Sequence, residues 1–199
     1  MADLAPSRSV ILELRDERRT MAEGYAFLDE KCLLLAGEIV RELKRYAAAR
    51  EEVDGLCAKS AAALQSALAR HGLEELSVLP APDLRGASIV HEWRSVMGVK
   101  LDRASWTAPG DSPAREPWRS PEDSACRDAF AALISAATVL GGIAGNLERL
   151  SEEYRRSIRR ARALNDVLMP ELDRTVGELE TQLEDLERED AIAMRLGAS

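Results

Sequence analysis

The sequence predicts an all-α protein, in which a long N-terminal and a long C-terminal helix form an antiparallel two-helix coiled coil around a small irregular middle segment. Two observations lead to this class. Of the 199 residues, 31% are charged and only 4% are aromatic, a composition typical of long helices rather than of a compact globule. Apolar residues also recur every three or four positions at both ends of the chain, which places them on one helix face.

The N-terminal repeat predicts a coiled-coil helix over residues 8–71. Ser7 or Ser9 can cap its first turn, and His71 with Gly72 supplies a stop. Thirteen of the sixteen ladder positions are apolar, and the ladder is Leu14, Arg18, Met21, Tyr25, Leu28, Cys32, Leu35, Ile39, Glu42, Tyr46, Ala49, Val53, Leu56, Ser60, Ala63 and Ala67. A seven-residue repeat kept over this length imposes a left-handed supercoil.

The middle segment, residues 72–121, loses the helical period and holds six of the eight prolines and all three tryptophans. Residues 87–106 contain two β-branched runs, with Arg94 and Ser95 between them, which suits a β-hairpin or two extended segments. The proline-rich stretch 107–121 is typical of an exposed loop. We expect the middle segment to offer a docking surface to a protein partner through Trp93, Val96, Met97 and Val99.

A second coiled-coil helix is predicted over residues 122–195, with Pro121 in its first turn. Its apolar ladder is Leu133, Ala136, Leu140, Ile143, Leu147, Leu150, Tyr154, Ser157, Ala161, Leu164, Leu168, Leu172, Val176, Leu179, Leu183 and Leu186. Three successive steps of four residues relax the supercoil near Pro170, which cannot donate a bond to Asp166. We therefore expect a kink or a looser turn at Pro170.

Charge along the C-terminal helix reverses abruptly. Residues 149–162 contain six arginines against two glutamates, whereas residues 171–190 contain nine acids against two arginines. The acidic segment is most simply a solvated helix face. For the arginines, a solvated face and a docking collar are equally good interpretations, and the collar hypothesis rests on Arg159, Arg160 and Arg162.

The sequence offers no residues that we would assign to catalysis, to a cofactor or to a metal. Cys32, Cys57 and Cys126 are too far apart for a zinc motif, and His71 and His91 are expected to have structural roles. The glycine-rich stretch 141–146 lacks the lysine of a phosphate-binding loop, so close helix packing is its expected role. Net charge of −8 disfavours nucleic acid as a partner.

We also expect a cytoplasmic protein. We expect no window to approach the length of uncharged apolar residues that a membrane span needs, and the first ten residues lack the apolar core of a secretory signal.

Several segments resemble the D subunit of the V-type and A-type rotary ATPases. Residues 159–165 (RRARALN), then Pro170 and the acidic end 186–190 (LERED), are similar to the C-terminal signature of that family. Residues 6–35 keep the spacing of its N-terminal pattern, and residues 91–106 resemble its central hairpin.

The resemblance implies a non-catalytic central rotor shaft that couples ATP synthesis, or ATP-driven proton or sodium transport, to a membrane ion rotor. The implied partners are a hexamer of catalytic and non-catalytic nucleotide-binding subunits, a small central-stalk subunit and the cap subunit of the membrane rotor. Such a shaft is peripheral to the membrane and does not insert into it. The alternative is a free-standing coiled-coil adaptor or a helical secretion chaperone.

Overall fold

Two long helical regions and a β-hairpin make up the fold, and the predicted class is confirmed. The computed structural model describes residues 6–78, 85–109 and 120–197. Its elements are helix α1 (Arg8–Val78), strands β1 (Ser88–Val96) and β2 (Val99–Thr107), helix α2 (Pro121–Ala163), a π-helical segment (Leu164–Leu168) and helix α3 (Met169–Gly197). Most of the proline-rich stretch, with Trp118, lies outside the described residues.

Serine side chains begin both long helices. The Val10 N–H donates to Ser7 Oγ at 3.3 Å, and the Asp123 N–H donates to Ser120 Oγ at 3.1 Å, so each serine satisfies an amide that the first turn leaves free. At the other end of α1, Gly72 has φ 72° and ψ 170°. This left-handed conformation, which glycine adopts without steric cost, breaks the helix before its last six residues.

Most buried residues of the helices lie on the predicted ladders, although the ladder residues Leu168 and Leu186 are exposed. On α1 the ladder residues below one-tenth exposure are Cys32, Leu35, Glu42, Ser60 and Ala67. On α2 and α3 they are Ile143, Leu150, Ser157, Ala161 and Leu179. These positions belong to two compact units, a terminal unit (Met1–Leu34 with Tyr154–Ser199) and a middle unit (Leu35–Glu153).

In the terminal unit, arginines of α1 pair with acids of α3. Arg8 contacts Glu187 at 2.7 Å, Arg15 contacts Glu180 at 2.5 Å, and Arg18 contacts Asp173. Residue numbers rise along α1 while they fall along α3, so the helices are antiparallel. The three acids are seven residues apart, which keeps them along one edge of the apolar seam.

The regular α-helix is interrupted one turn before Pro170. Through Leu164–Leu168 the chain is π-helical, and the Met169 N–H donates to the Leu164 carbonyl, five residues back. A wider turn is one way to accommodate a proline that supplies no amide bond of its own. Next to this turn, Leu164 Cδ1 lies 3.8 Å from the position that a Cβ on Gly24 would occupy.

The hairpin turn is at Met97 and Gly98, and the predicted break at Arg94 and Ser95 is wrong. Val96 pairs with Val99, and both Arg94 and Ser95 belong to β1. Met97 has φ 49° and Gly98 has φ 85°. Two positive φ values match the right-handed twist of the strands, and glycine at the second position provides one of them at little cost.

In the middle unit, β2 packs closely on α2 at Gly142. A Cβ added to Gly142 would lie 3.0 Å from Ala104 Cβ and 3.3 Å from Ala104 N. Nothing lies within 4 Å of a Cβ on Gly141, and the three atoms nearest to a Cβ on Gly145 belong to Arg149 of the same helix. The expected close helix packing is therefore replaced by packing of a strand against the helix.

One part of α2 contradicts the expectation that no window resembles a membrane span. The helical region Pro121–Leu196 contains an 18-residue window with mean hydropathy 1.7, of which 11% is buried. Residues 129–147 include no Asp, Glu, Lys or Arg. The expectation fails because seven large apolar residues and six alanines outweigh the three polar residues of this stretch, and the large apolar residues are Phe130, Leu133, Ile134, Val139, Leu140, Ile143 and Leu147.

The paired charges of the terminal unit predict a salt-sensitive effect of charge reversal. Arg15→Glu places like charges opposite Glu180 and should lower the melting temperature, whereas Arg15→Glu with Glu180→Arg should restore most of it. Circular dichroism at 222 nm measures both at low and at high salt. A double variant no more stable than the single variant at low salt would contradict the pairing.

Neighbouring glycines of α2 provide a matched pair of substitutions. Gly141→Ala should stabilise the protein by up to about 1 kcal/mol, because alanine is the better helix former and nothing lies near the new methyl group. Gly142→Ala gains the same propensity but pushes against Ala104, and should be less stable than Gly141→Ala. Thermal unfolding compares them, and equal stabilities would contradict the close packing at Gly142.

Candidate interaction surfaces

The three collar arginines are exposed on one turn of the helical region. Arg159 and Arg160 end α2 together with Arg162, and each side chain is exposed. Ser157 and Ala161 are buried on the same stretch. At 3.6 residues per turn, Arg159 lies roughly opposite these two. Within the described part of the chain no ion pair is formed by any of the three, so their charge is available to a partner.

The acidic segment is only partly the solvated face that its composition indicates. Glu187, Glu180 and Asp173 pair with arginines of α1, and Glu184 and Asp185 pair locally with Arg188 at 3.1 and 2.9 Å. The segment therefore carries part of the charge pairing that aligns α1 with α3.

The predicted docking residues of the hairpin differ in accessibility. Trp93 is 56% exposed, whereas Val99 is 7% exposed. Val96 and Met97 are half-buried. Trp93 and the turn are therefore accessible, and Val99 packs within the protein.

Trp93 is held by charged and aromatic neighbours. The Arg149 guanidinium carbon lies 5.7 Å from the centre of a Trp93 ring, a cation–π distance. The His91 ring stacks on Trp93 with centres 5.8 Å apart, and His91 Nδ1 lies 2.7 Å from Asp102 Oδ2. This arrangement orients a large indole whose outer surface remains exposed.

The outer edge of β2 is bonded by side chains of α2. The Asp102 N–H donates to Asn146 Oδ1 at 2.7 Å, and the Asn146 amide donates to the Asp102 carbonyl at 2.8 Å. Arg149 donates to Asn146 Oδ1 at 2.7 Å and to the Lys100 carbonyl at 3.0 Å. The Asn146 side chain thus forms hydrogen bonds with both the N–H and the carbonyl of one edge residue, as the backbone of a neighbouring strand would.

The other attachment of the hairpin is to α1. Arg94 donates to both Glu38 and Glu42, whose side chains are 3% and 1% exposed. Arg41 and Arg45 contact the same two carboxylates from exposed positions. The hydrogen bond with Glu38 is the largest cause of a raised pKa at Arg94, so the guanidinium stays charged.

Sequence reasoning missed these attachments. Glu42 is a charged residue on an apolar ladder, a signal that indicates a buried partner of opposite charge. Glu38 and Asn146 lie off the ladders, and nothing in their local sequence distinguishes them from exposed polar residues.

All three cysteines are free thiols, and both histidines contact polar side chains. Burial raises the pKa of the Cys32 thiol, and the Asp29 carboxylate adds to the effect, which disfavours the thiolate. Cys57 is exposed, and His71 Nε2 contacts Ser120 Oγ at 2.6 Å. Among the described residues no three His, Cys, Asp or Glu side chains form a metal-binding group.

Comparison with known proteins covers nearly the whole chain. The family of the ATP synthase D subunit matches residues 10–196. The chain is 29% identical to the V-type ATP synthase D subunit of Anaeromyxobacter dehalogenans (strain 2CP-1), over 98% of this chain and 95% of the relative.

Two further relatives agree in name and coverage. Identity is 28% to the V-type ATP synthase D subunit of Thermus thermophilus, over 98% of this chain and 87% of the relative. It is also 28% to the A-type ATP synthase D subunit of Methanosphaera stadtmanae, over 92% of this chain and 88% of the relative. The chain therefore belongs to the D subunit family of the V-type and A-type ATP synthases.

Proposed function

We propose that the protein is the central rotor shaft of its ATP synthase and transmits torque between a nucleotide-binding hexamer and a membrane ion rotor. The family match over residues 10–196 carries this proposal. Long antiparallel helices suit a shaft because their hydrogen-bonded backbones resist bending. The shaft itself is non-catalytic, and the coupled process is ATP synthesis or ATP-driven ion transport.

The proposed partners are the catalytic and non-catalytic subunits of the hexamer, a small central-stalk subunit and the cap subunit of the membrane rotor. The protein works on the cytoplasmic side, attached to the membrane only through the complex. The uncharged window of α2 lies within a helical region that also carries the six arginines of residues 149–162 and the acids of residues 171–190. Within the window, Gly142 and Asn146 contact β2, and this packing against protein suits a role outside the bilayer.

Within this function, Arg159, Arg160 and Arg162 form a positive collar facing acidic or carbonyl groups of the hexamer. Guanidinium groups make directional bonds with such acceptors. A rotor must release each contact at every step, and exposed ion pairs are weak enough for this, at about 0.2–1 kcal/mol each.

Replacing all three collar arginines with glutamine should slow ATP-driven rotation or reduce ion pumping per ATP, while each single replacement should have little effect. Glutamine keeps the helix propensity close to that of arginine. High salt should reduce coupling in the wild type and have a smaller effect on the triple variant. Rotation and pumping are measured with the reconstituted complex at low and high salt.

A matched control replaces three other exposed arginines, Arg19, Arg50 and Arg174, which pair with acids on their own helices. This control should couple normally. The collar hypothesis is wrong if the collar variant assembles and couples as the control does at low ionic strength.

Trp93 is proposed to anchor a protein partner, with Val96 and Met97 beside it and buried Val99 supporting the turn.

Trp93→Ala should weaken retention of one stalk or hexamer subunit by about 2 kcal/mol, or roughly 30-fold in affinity, as for a central aromatic contact. Quantitative co-purification with the tagged complex measures the loss. Ile89→Ala, at an exposed residue of the same strand, is the control, and equal retention in both variants would exclude the anchor.

Affinity isolation from the native source tests the proposed function as a whole. A shaft should bring down the nucleotide-binding hexamer and a small stalk subunit. A self-associated chain that brings down neither would favour the free-standing adaptor.

A further inference from the structure

We propose that the β-hairpin is a brace that joins α1 to α2 in the middle unit and fixes the two helices in one register. The inference concerns the isolated subunit and goes beyond its proposed role as a shaft. It rests on two polar attachments, one from β1 to α1 and one from β2 to α2. The two strand residues that make them, Arg94 and Asp102, belong to consecutive cross-strand pairs of the hairpin.

The attachment to α1 is an ion pair between an accessible strand and two buried carboxylates. Arg94 extends from β1 to Glu38 and Glu42, which lie one helical turn apart. Since Glu42 Oε2 has no hydrogen-bond partner in the described structure, this carboxylate depends on its other oxygen, which accepts bonds from Arg94 and Arg45. Charge-assisted bonds of this kind are directional and hold the strand at one place along α1.

Three residues on one face of α2 make the attachment to β2. They are Gly142, Asn146 and Arg149, which are spaced four and three positions apart. Ala104 packs so close to Gly142 that a Cβ there would lie 3.0 Å from Ala104 Cβ. Asn146 forms hydrogen bonds with the N–H and the carbonyl of Asp102, and Arg149 donates to the Lys100 carbonyl. Shifting β2 along α2 by one residue would break both bonds of Asn146. Shifting it by two residues would bring Asp102 or Trp106 to Gly142 in place of the small Ala104, so the two contacts together select a single position.

The hairpin connects the two attachments over a very short distance. Arg94 is paired with Leu101, and the next pair is Trp93 with Asp102. A displacement of α1 relative to α2 therefore acts directly on backbone hydrogen bonds between β1 and β2. Apolar contacts along a seam are non-directional, whereas this path resists sliding of one helix past the other.

The test uses amide hydrogen exchange at Asp102, measured by NMR on the isolated subunit. The Asp102 N–H bonds to Asn146 of α2, so its exchange reports on one attachment, while Arg94→Gln weakens the other. If the hairpin couples the helices, Arg94→Gln should accelerate exchange at Asp102 about tenfold, which corresponds to ~1.4 kcal/mol. Exchange at Leu179, a buried residue of the terminal unit, should keep its wild-type rate.

Arg103→Gln is the matched control, because Arg103 is an exposed arginine of the same hairpin and should leave exchange at Asp102 unchanged. A double variant, Arg94→Gln with Glu42→Gln, removes the buried charge of Glu42, while Glu38 keeps Arg41 as its partner. It keeps the test valid if the single variant loses helical structure.

Wild-type exchange at Asp102 in the folded Arg94→Gln variant, or in the double variant where only that one folds, would overturn the brace. Equal acceleration at Asp102 and Leu179 would overturn it too, since the effect would then be a general loosening. Both outcomes are measured without the assembled complex, so they are independent of the rotor-shaft proposal.

Discussion

Two buried glutamates, Glu38 and Glu42, are the constraint on which the middle unit depends. Removing a carboxylate from water costs several kcal/mol unless cations and hydrogen-bond donors replace the lost hydration. Arg41 and Arg45 contribute from the same helix, and Arg94 contributes from β1. The hairpin is therefore required at this place on α1, which in turn determines where β2 meets α2.

Charge has a different role in the terminal unit. Arg8, Arg15 and their acidic partners on α3 remain largely exposed, so each pair contributes little free energy. A shift of one heptad would still set Arg8 opposite Glu180 and Arg15 opposite Asp173, but it would leave Glu187 and Arg18 without these partners; the observed alignment forms all three pairs. Exposed pairs thus select the alignment of α1 with α3, and buried pairs fix the position of the hairpin.

The fold could be predicted from the sequence because a helix ladder is a local pattern. The buried residues Leu35, Leu150 and Leu179 all lie on predicted positions, and the serine caps follow from neighbouring residues. The hairpin turn does not lie where the polar residues Arg94 and Ser95 indicate, because the positive φ of Gly98 decides its position.

The attachments of the hairpin could not be predicted in the same way. Asn146 bonds a residue 44 positions away, and the sequence around it is that of an ordinary apolar helix. Arg94 reaches Glu42 over 52 positions. Periodicity indicates which face of a helix is buried, and it contains no information on a second face that meets a strand.

Helix α2 meets β2 at Gly142, Asn146 and Arg149, and this contact constrains its sequence from residue 142 to residue 149. One face carries the ladder residues such as Ile143, and a second face carries Gly142 and Asn146. A larger side chain at position 142 would push β2 away, because even a Cβ there would lie 3.0 Å from Ala104 Cβ. Strand packing thus requires a small residue at position 142, whereas at position 149 an arginine can bond the edge of the strand.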